Sequence, residues 1–246
     1  MPGLKALHNS YLRNSADGFD FVAMIEGTAE FCDHVEHDLG ITTIRNPALP
    51  LERLPTSPAW PTSPVTTFYR LLVPSLLPDC PRSIYIDADA LILQSLKPLA
   101  QLQFDAIIAA TIARTTQGHD VTLGEEISNV ESARRAELGF TASLMVINHA
   151  AWNSADVLGR CAAAVRTDLS FYCMDQSLLR YVIGRQWSAL PYHWQVHAGM
   201  PTFDKFSLGT IFVLHFMGTK PWREYPPHIV PTSGKLRARQ LWERYR

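Results

Sequence analysis

The chain has 246 residues, 47% of them hydrophobic and 18% charged, with a formal net charge of −1. That length supports one large domain with a real core, and the balanced charge excludes a general nucleic-acid binder. Its cysteines, Cys32, Cys80, Cys161 and Cys173, include no C-x-x-C pair and read as reduced thiols.

Leu4, Leu7, Tyr11 and Leu12 form a helical stripe over 4–12. FDFVAMI (19–25) reads as a buried strand, 28–40 as a helix and ITTIR (41–45) as a second strand. Within that helix, the CDHVEHD run (32–38) fits a solvated face better than a metal site. Prolines in NPALPLERLPTSPAWPTSP, with PTSP twice, block both helix and central strand and predict an extended connector. A helix over 65–77 and strands over 83–87 and 104–112 follow. FTASLMVINHAAW (140–152) is a strand running into a helix, 175–184 is helical, and TIFVLHF (210–216) is a buried strand. This alternation predicts an α/β domain with a mostly parallel sheet. Such domains normally open on a strand, whereas this chain opens on a helix. The boundaries expected are a domain over 1–230 and a basic, aromatic tail over 231–246. The tail reads as a solvated helix, with weak contact to anionic lipid as the rival reading. No signal peptide opens the chain, and the strongest apolar run (106–113) is too short to span a bilayer, so a cytosolic location is expected.

One run stands apart. Residues 84–93 read IYIDADALIL, with Asp87 and Asp89 set among apolar neighbours where a strand gives way to its loop. A buried carboxylate costs several kcal/mol unless it is paired or holds a metal, and a second like charge makes it worse. On that basis, removing one charge from the metal-free protein is expected to be neutral or stabilising. Arginine pairing or turn capping would be a purely structural use. Two oxygen donors at the carboxyl end of a strand also suit a hard divalent cation.

Two enzyme classes use such a motif. A phosphotransferase of the haloacid-dehalogenase type would need it near the chain start, with a second acidic cluster downstream. Here 86 residues precede Asp87, and Asp156, Asp168, Asp175 and Asp204 are scattered. A nucleotide-sugar glycosyltransferase would instead use the aspartates to hold Mn²⁺ or Mg²⁺ against the donor diphosphate. VLHFMGTKPW offers that class His215 as a third ligand, the backbone of Gly218, and Lys220 for a phosphate oxygen. Two carboxylates with an imidazole suit Mn²⁺ somewhat better than Mg²⁺.

At these residues the chain resembles glycosyltransferase family 8, the group of glycogenin and the bacterial lipopolysaccharide galactosyl- and glucosyltransferases. Four blocks carry the resemblance in the family's order: TTFYRLLVPSLLPDCPRSIYIDADALIL, FTASLMVINHAAW, MDQSLL and HFMGTKPW. The resemblance implies a GT-A nucleotide-sugar-binding fold and transfer of a hexose from a UDP-sugar with retention. It implies Asp87, Asp89 and His215 as metal ligands. Arg70, Ala88, Thr141, Ala142, Ser143, Gly218 and Lys220 would contact the donor. Asp175 would accept from sugar hydroxyls, and Gln176 would support an oxocarbenium-like centre. The acceptor implied is a glycan, a lipopolysaccharide or a lipid-linked sugar.

The chain also departs from the family. Thr141-Ala142-Ser143 stands where the family has Asn-Ala-Gly, which leaves the identity of the sugar open. Ser177 replaces the second acid of Asp-Gln-Asp, which excludes a carboxylate nucleophile there. Gly3–Asn14 matches the helix that should follow the family's first strand, so that strand and its uridine-gripping acidic turn are expected to be missing. The alternative function is therefore a truncated, non-catalytic relative that binds nucleotide or glycan.

Overall fold

The computed structural model describes residues 2–16, 18–55, 64–115, 117–200, 203–225 and 230–246. Helix α1 (Pro2–Asn14) leads to strand β1 (Val22–Ile25), helix α2 (Ala29–Leu39) and strand β2 (Thr42–Arg45). A 3₁₀ segment (Val65–Leu72) and α3 (Val73–Leu76) precede β3 (Arg82–Ile86), β4 (Ala90–Ile92), α4 (Lys97–Ala100) and β5 (Ile108–Ile112). Next come α5 (Leu123–Glu126), β6 (Ile127–Ser128), β7 (Phe140–Asn148), α6 (His149–Ser154) and α7 (Val157–Ala164). The chain continues through β8 (Ser170–Phe171), α8 (Met174–Ile183), β9 (Trp187–Leu190), β10 (Gln195–His197), β11 (Val213–His215) and α9 (Ser233–Trp242). The PTSP repeat falls largely on residues 56–63, outside the described residues.

The α/β class holds, but the sheet is mixed rather than mostly parallel. β3, β7, β5 and β9 lie in that order, with β7 antiparallel to both β3 and β5 and only β5–β9 parallel. An apolar run announces burial and not direction, so the sequence pattern was blind to this. A second group orders β10, β11 and β4, while β1 and β2 pair in parallel on their own. Among the described residues, β1 and β3 each have one edge without a strand partner.

Helix α1 buries Ala6, Leu7, Ser10 and Tyr11, while Leu12 is 52% exposed, so its inner face is rotated from the expected stripe. Gly3 is required: a Cβ there would lie 2.7 Å from the Ala88 carbonyl and from the Trp222 ring. The tail is not a solvated appendage. Ala238, Leu241 and Trp242 of α9 are buried in one cluster with Ala6, Leu91 and Phe216, and Arg13 and Asn9 donate to the carbonyls of Arg244 and Tyr245. Its aromatic residues are core, which is why they alternate with charge. In α2, Cys32 and Val35 face inward, and acidic and histidine side chains around them form surface pairs such as His34–Asp38. All four cysteines are free thiols. Among the described residues no helix is long and apolar enough to cross a membrane.

Helix α8 is held by a buried ion pair. Arg180 is 2% exposed, pairs with Glu126 and donates to the Phe140 carbonyl at 2.6 Å. Ser177, fully buried, donates to Glu126 at 3.1 Å and accepts from the Cys173 amide at 2.9 Å. That brace fixes the first turn of α8, where Met174 takes a left-handed φ of 47°, a conformation costing roughly 1–2 kcal/mol outside glycine. Glu126→Ala should therefore destabilise the fold by about 3–5 kcal/mol, because it strands a buried guanidinium. Adding Arg180→Met should recover most of that loss in urea unfolding. A single variant within about 1 kcal/mol of the parent would show that the pair does not hold α8.

Candidate active site

The sheet groups meet at the two aspartates. β3 ends at Ile86 in the four-stranded group, and β4 begins at Ala90 in the three-stranded one. Asp87, Ala88 and Asp89 make the crossing. The Asp87 amide donates to the Ser143 carbonyl of β7 at 3.0 Å, and the Phe216 amide donates to the Asp89 carbonyl at 2.9 Å. β11 delivers His215 opposite Ala90. Ligand atoms of Asp87, Asp89 and His215 all lie within 4.8 Å of one another.

Each aspartate divides its two oxygens. Asp87 Oδ1 accepts from Arg70 and from the Tyr85 hydroxyl, both at 2.8 Å. Asp89 Oδ2 accepts from the Lys220 ammonium. The other two oxygens face His215 Nε2, Asp89 Oδ1 at 3.1 Å and Asp87 Oδ2 at 3.8 Å. Adjacent corners of an octahedron with bonds near 2.1 Å lie about 3 Å apart. The 3.1 Å pair matches such an edge and the 3.8 Å pair is wider, so the inner atoms could close on a divalent cation while protein cations hold the outer oxygens.

These partners also decide the charge state. Burial pushes the Asp89 carboxyl up, but His215 and Lys220 outweigh it and hold the carboxyl well below its ordinary value. Asp89 is thus a paired charge, and its pairing contributes stability above the unfolded value of 3.8. With these ion pairs, Asp89→Asn is expected to destabilise the metal-free protein, where the sequence alone led to the opposite expectation. Burial keeps the Tyr85 phenol protonated, so it remains a donor to Asp87.

Arg70, on the 3₁₀ segment, is 5% exposed, and its guanidinium is committed to protein groups. It donates to the carbonyls of Thr67 and Ala142 at 2.9 and 2.8 Å, and pairs with Asp87 and with Asp175 Oδ2 at 2.8 and 2.9 Å. One cation therefore ties the aspartate turn to the start of α8. Gln176, the next residue, accepts from the Ala142 amide at 3.0 Å. Thr141, Ala142 and Ser143 are buried at the start of β7, between Gln176 and Asp87. Gly218 has a φ of 73° and open space around its Cβ position, which leaves its backbone bare beside Lys220.

Two residues of the site were missed in the sequence. β10 buries Gln195 and His197 on one face, 0% and 4% exposed. The Gln195 amide donates to the Ser143 hydroxyl. His197 Nδ1 lies 3.1 Å from His215 Nδ1, and burial together with His215 lowers its pKa to about 3. The signal was there: polar residues at i and i+2 around Val196 repeat the pattern of the aspartates. A groove of about 800 Å³ between α1, α2 and α9 shares Pro221 and Trp222 with the Lys220 loop, and Lys5, Arg239 and Arg246 line it.

Residues 43–225 match Glycosyl transferase family 8. No curated protein sequence matches the chain. The galactosyltransferase LgtC, solved with donor and acceptor sugar analogs, is 17% identical at a TM-score of 0.66, over 99% of this chain and 90% of that one. The bifunctional glycosyltransferase WbbM is 16% identical at 0.66, over 90% of this chain and 44% of WbbM. GlyE of Streptococcus pneumoniae TIGR4 is 18% identical at 0.63, over 99% of this chain and 57% of GlyE. The chain thus spans about half of WbbM and GlyE, and the shared feature is the GT-A fold.

Asp175 gives this geometry a pH signature. Burial raises its carboxyl, Arg70 opposes, Asp87 adds to the rise, and the result is about 6. A carboxyl that holds its proton more tightly folded than unfolded lowers stability as pH rises between the two values, here 3.8 and about 6. Asp175→Asn should therefore gain stability relative to the parent on going from about pH 4 to about pH 7 in urea unfolding. A constant difference across that window would mean that Asp175 titrates normally.

Proposed function

Because the chain belongs to Glycosyl transferase family 8, we propose that it moves a hexose from a UDP-sugar to a glycan, lipopolysaccharide or lipid-linked acceptor with retention of configuration. The observation that carries this reading is the division of the aspartate oxygens: two inner oxygens and His215 Nε2 converge, while Arg70 and Lys220 hold the outer oxygens. A bound Mn²⁺ or Mg²⁺ would neutralise the charge that builds on the departing nucleoside diphosphate.

The chain's own residues do the rest. Lys220 and the bare backbone of Gly218 bind the diphosphate, with Ala88 and residues 141–143 beside it. Arg70 acts as the strut between the metal-facing turn and the sugar-facing turn, with any donor contact secondary to that. Asp175 accepts from sugar hydroxyls, most strongly as a carboxylate, and below about pH 6 its proton weakens that acceptance. The bond from the anomeric carbon to the phosphate oxygen breaks, and the acceptor oxygen bonds to that carbon on the same face. The acceptor proton passes to the departing phosphate oxygen. Gln176 lies on the opposite face, where its amide oxygen supports the positive charge. Membrane contact is peripheral and uses Lys5, Arg239 and Arg246 along the groove.

UDP-glucose or UDP-galactose hydrolysis with Mn²⁺ tests the reading. Asp89→Asn should lower turnover more than about 100-fold, since even groups behind a metal ligand cost 10–100-fold. Gln176→Ala should lower kcat by about 100-fold with donor KM nearly unchanged, as befits a contact formed mainly in the transition state. Unchanged turnover in Asp89→Asn, or a Gln176→Ala effect confined to KM, would refute the corresponding assignment.

A further inference from the structure

We propose that His197 is a positioning residue for the metal centre: it accepts the Nδ1 proton of His215 and so presents the His215 Nε2 lone pair to the site between Asp87 and Asp89. The inference rests on the metal-dependent reading above.

Three observations carry it. β10 and β11 run in parallel with His197 directly across from His215, and the Ala198 amide donates to the His215 carbonyl at 2.8 Å, so the two backbones cannot slip. The rings meet at 62° with centroids 5.2 Å apart. Their Nδ1 atoms are 3.1 Å apart, a separation that is attractive only when one nitrogen carries a hydrogen and the other a lone pair.

Which ring donates follows from the far side of His215. Its Nε2 faces Asp89 Oδ1 and Asp87 Oδ2. A nitrogen that ligates a cation must offer its lone pair, so the ring's single proton sits on Nδ1. His197 Nδ1 is then the acceptor. Metal-bound histidines usually donate this second N–H to a carboxylate, a carbonyl or water. Here a third carboxylate would add a like charge to a half-buried pair of aspartates. An imidazole accepts the proton without adding charge. Without a cation, His215 Nε2–H is placed to donate to Asp89, which turns the His197–His215 hydrogen bond around. Loading the site would thus reverse one hydrogen bond between two buried rings.

The test is Mn²⁺ affinity by calorimetry on the full chain, with two variants and one spectrum. His197→Leu fills the space but cannot accept, and should weaken Mn²⁺ binding 10- to 100-fold. His197→Asn offers Oδ1 as an acceptor and should stay within about threefold of the parent, a rescue that a purely packing role would not produce. In ¹⁵N imidazole spectra of the parent, saturating Mg²⁺ should give His215 protonated at Nδ1. Parent-like binding by His197→Leu overturns the inference and leaves the metal site standing. A parent that binds neither Mn²⁺ nor Mg²⁺ overturns the metal site itself, and this inference with it. If His197→Leu does not fold, the spectrum decides, and Nε2-protonated His215 in the loaded protein is the contrary result.

Discussion

Two carboxylates crowded at one strand end are the constraint around which this molecule is arranged. Each would be costly alone in a half-buried turn, and together they repel. The fold answers by giving each aspartate its own cation on the outside, Arg70 for Asp87 and Lys220 for Asp89. The inner oxygens are left turned toward His215. Much of the nearby architecture serves that division. β3 and β4 split at the turn, β7 anchors Asp87 by its backbone, and α1 approaches closely enough that only glycine fits at position 3.

Arg70 couples this turn to the start of α8. Its guanidinium joins Asp87 to Asp175, so the group proposed to hold the metal and the group proposed to face the sugar share one cation. The excess of one negative charge in that trio is consistent with the raised carboxyl of Asp175. The first turns of α8 are braced as well, by Glu126 acting on Ser177 and Arg180. Ser177 is turned into this brace.

The sequence made some of this plain and hid the rest for physical reasons. An aspartate pair inside IYIDADALIL is conspicuous because burial makes it expensive, and His215 stood out because an apolar strand ended on it. The alternation of apolar periods announced α/β layering. Strand direction did not show, since inward-facing residues look alike whichever way β7 runs. Arg70 was legible as a site residue but not as a strut, because its partners lie 17 and 105 positions away in the chain. Gln195 and His197 sit on a three-residue strand between 3₁₀ turns, where a single polar i, i+2 pair around Val196 is the whole trace and is easily passed over as loop. The tail's aromatic residues read as a surface feature only because their partners in α1 and β4 are remote in sequence.

In the proposed holo protein the two inner aspartate oxygens and His215 Nε2 hold one cation, with Arg70 and Lys220 outside it. Anomalous diffraction at the manganese edge, from crystals grown with Mn²⁺ and UDP, would locate that cation. One strong peak bonded to Asp87 Oδ2, Asp89 Oδ1 and His215 Nε2 is expected, with Arg70 still on Asp87 Oδ1. A peak elsewhere, or none at this turn while UDP is bound, would contradict it.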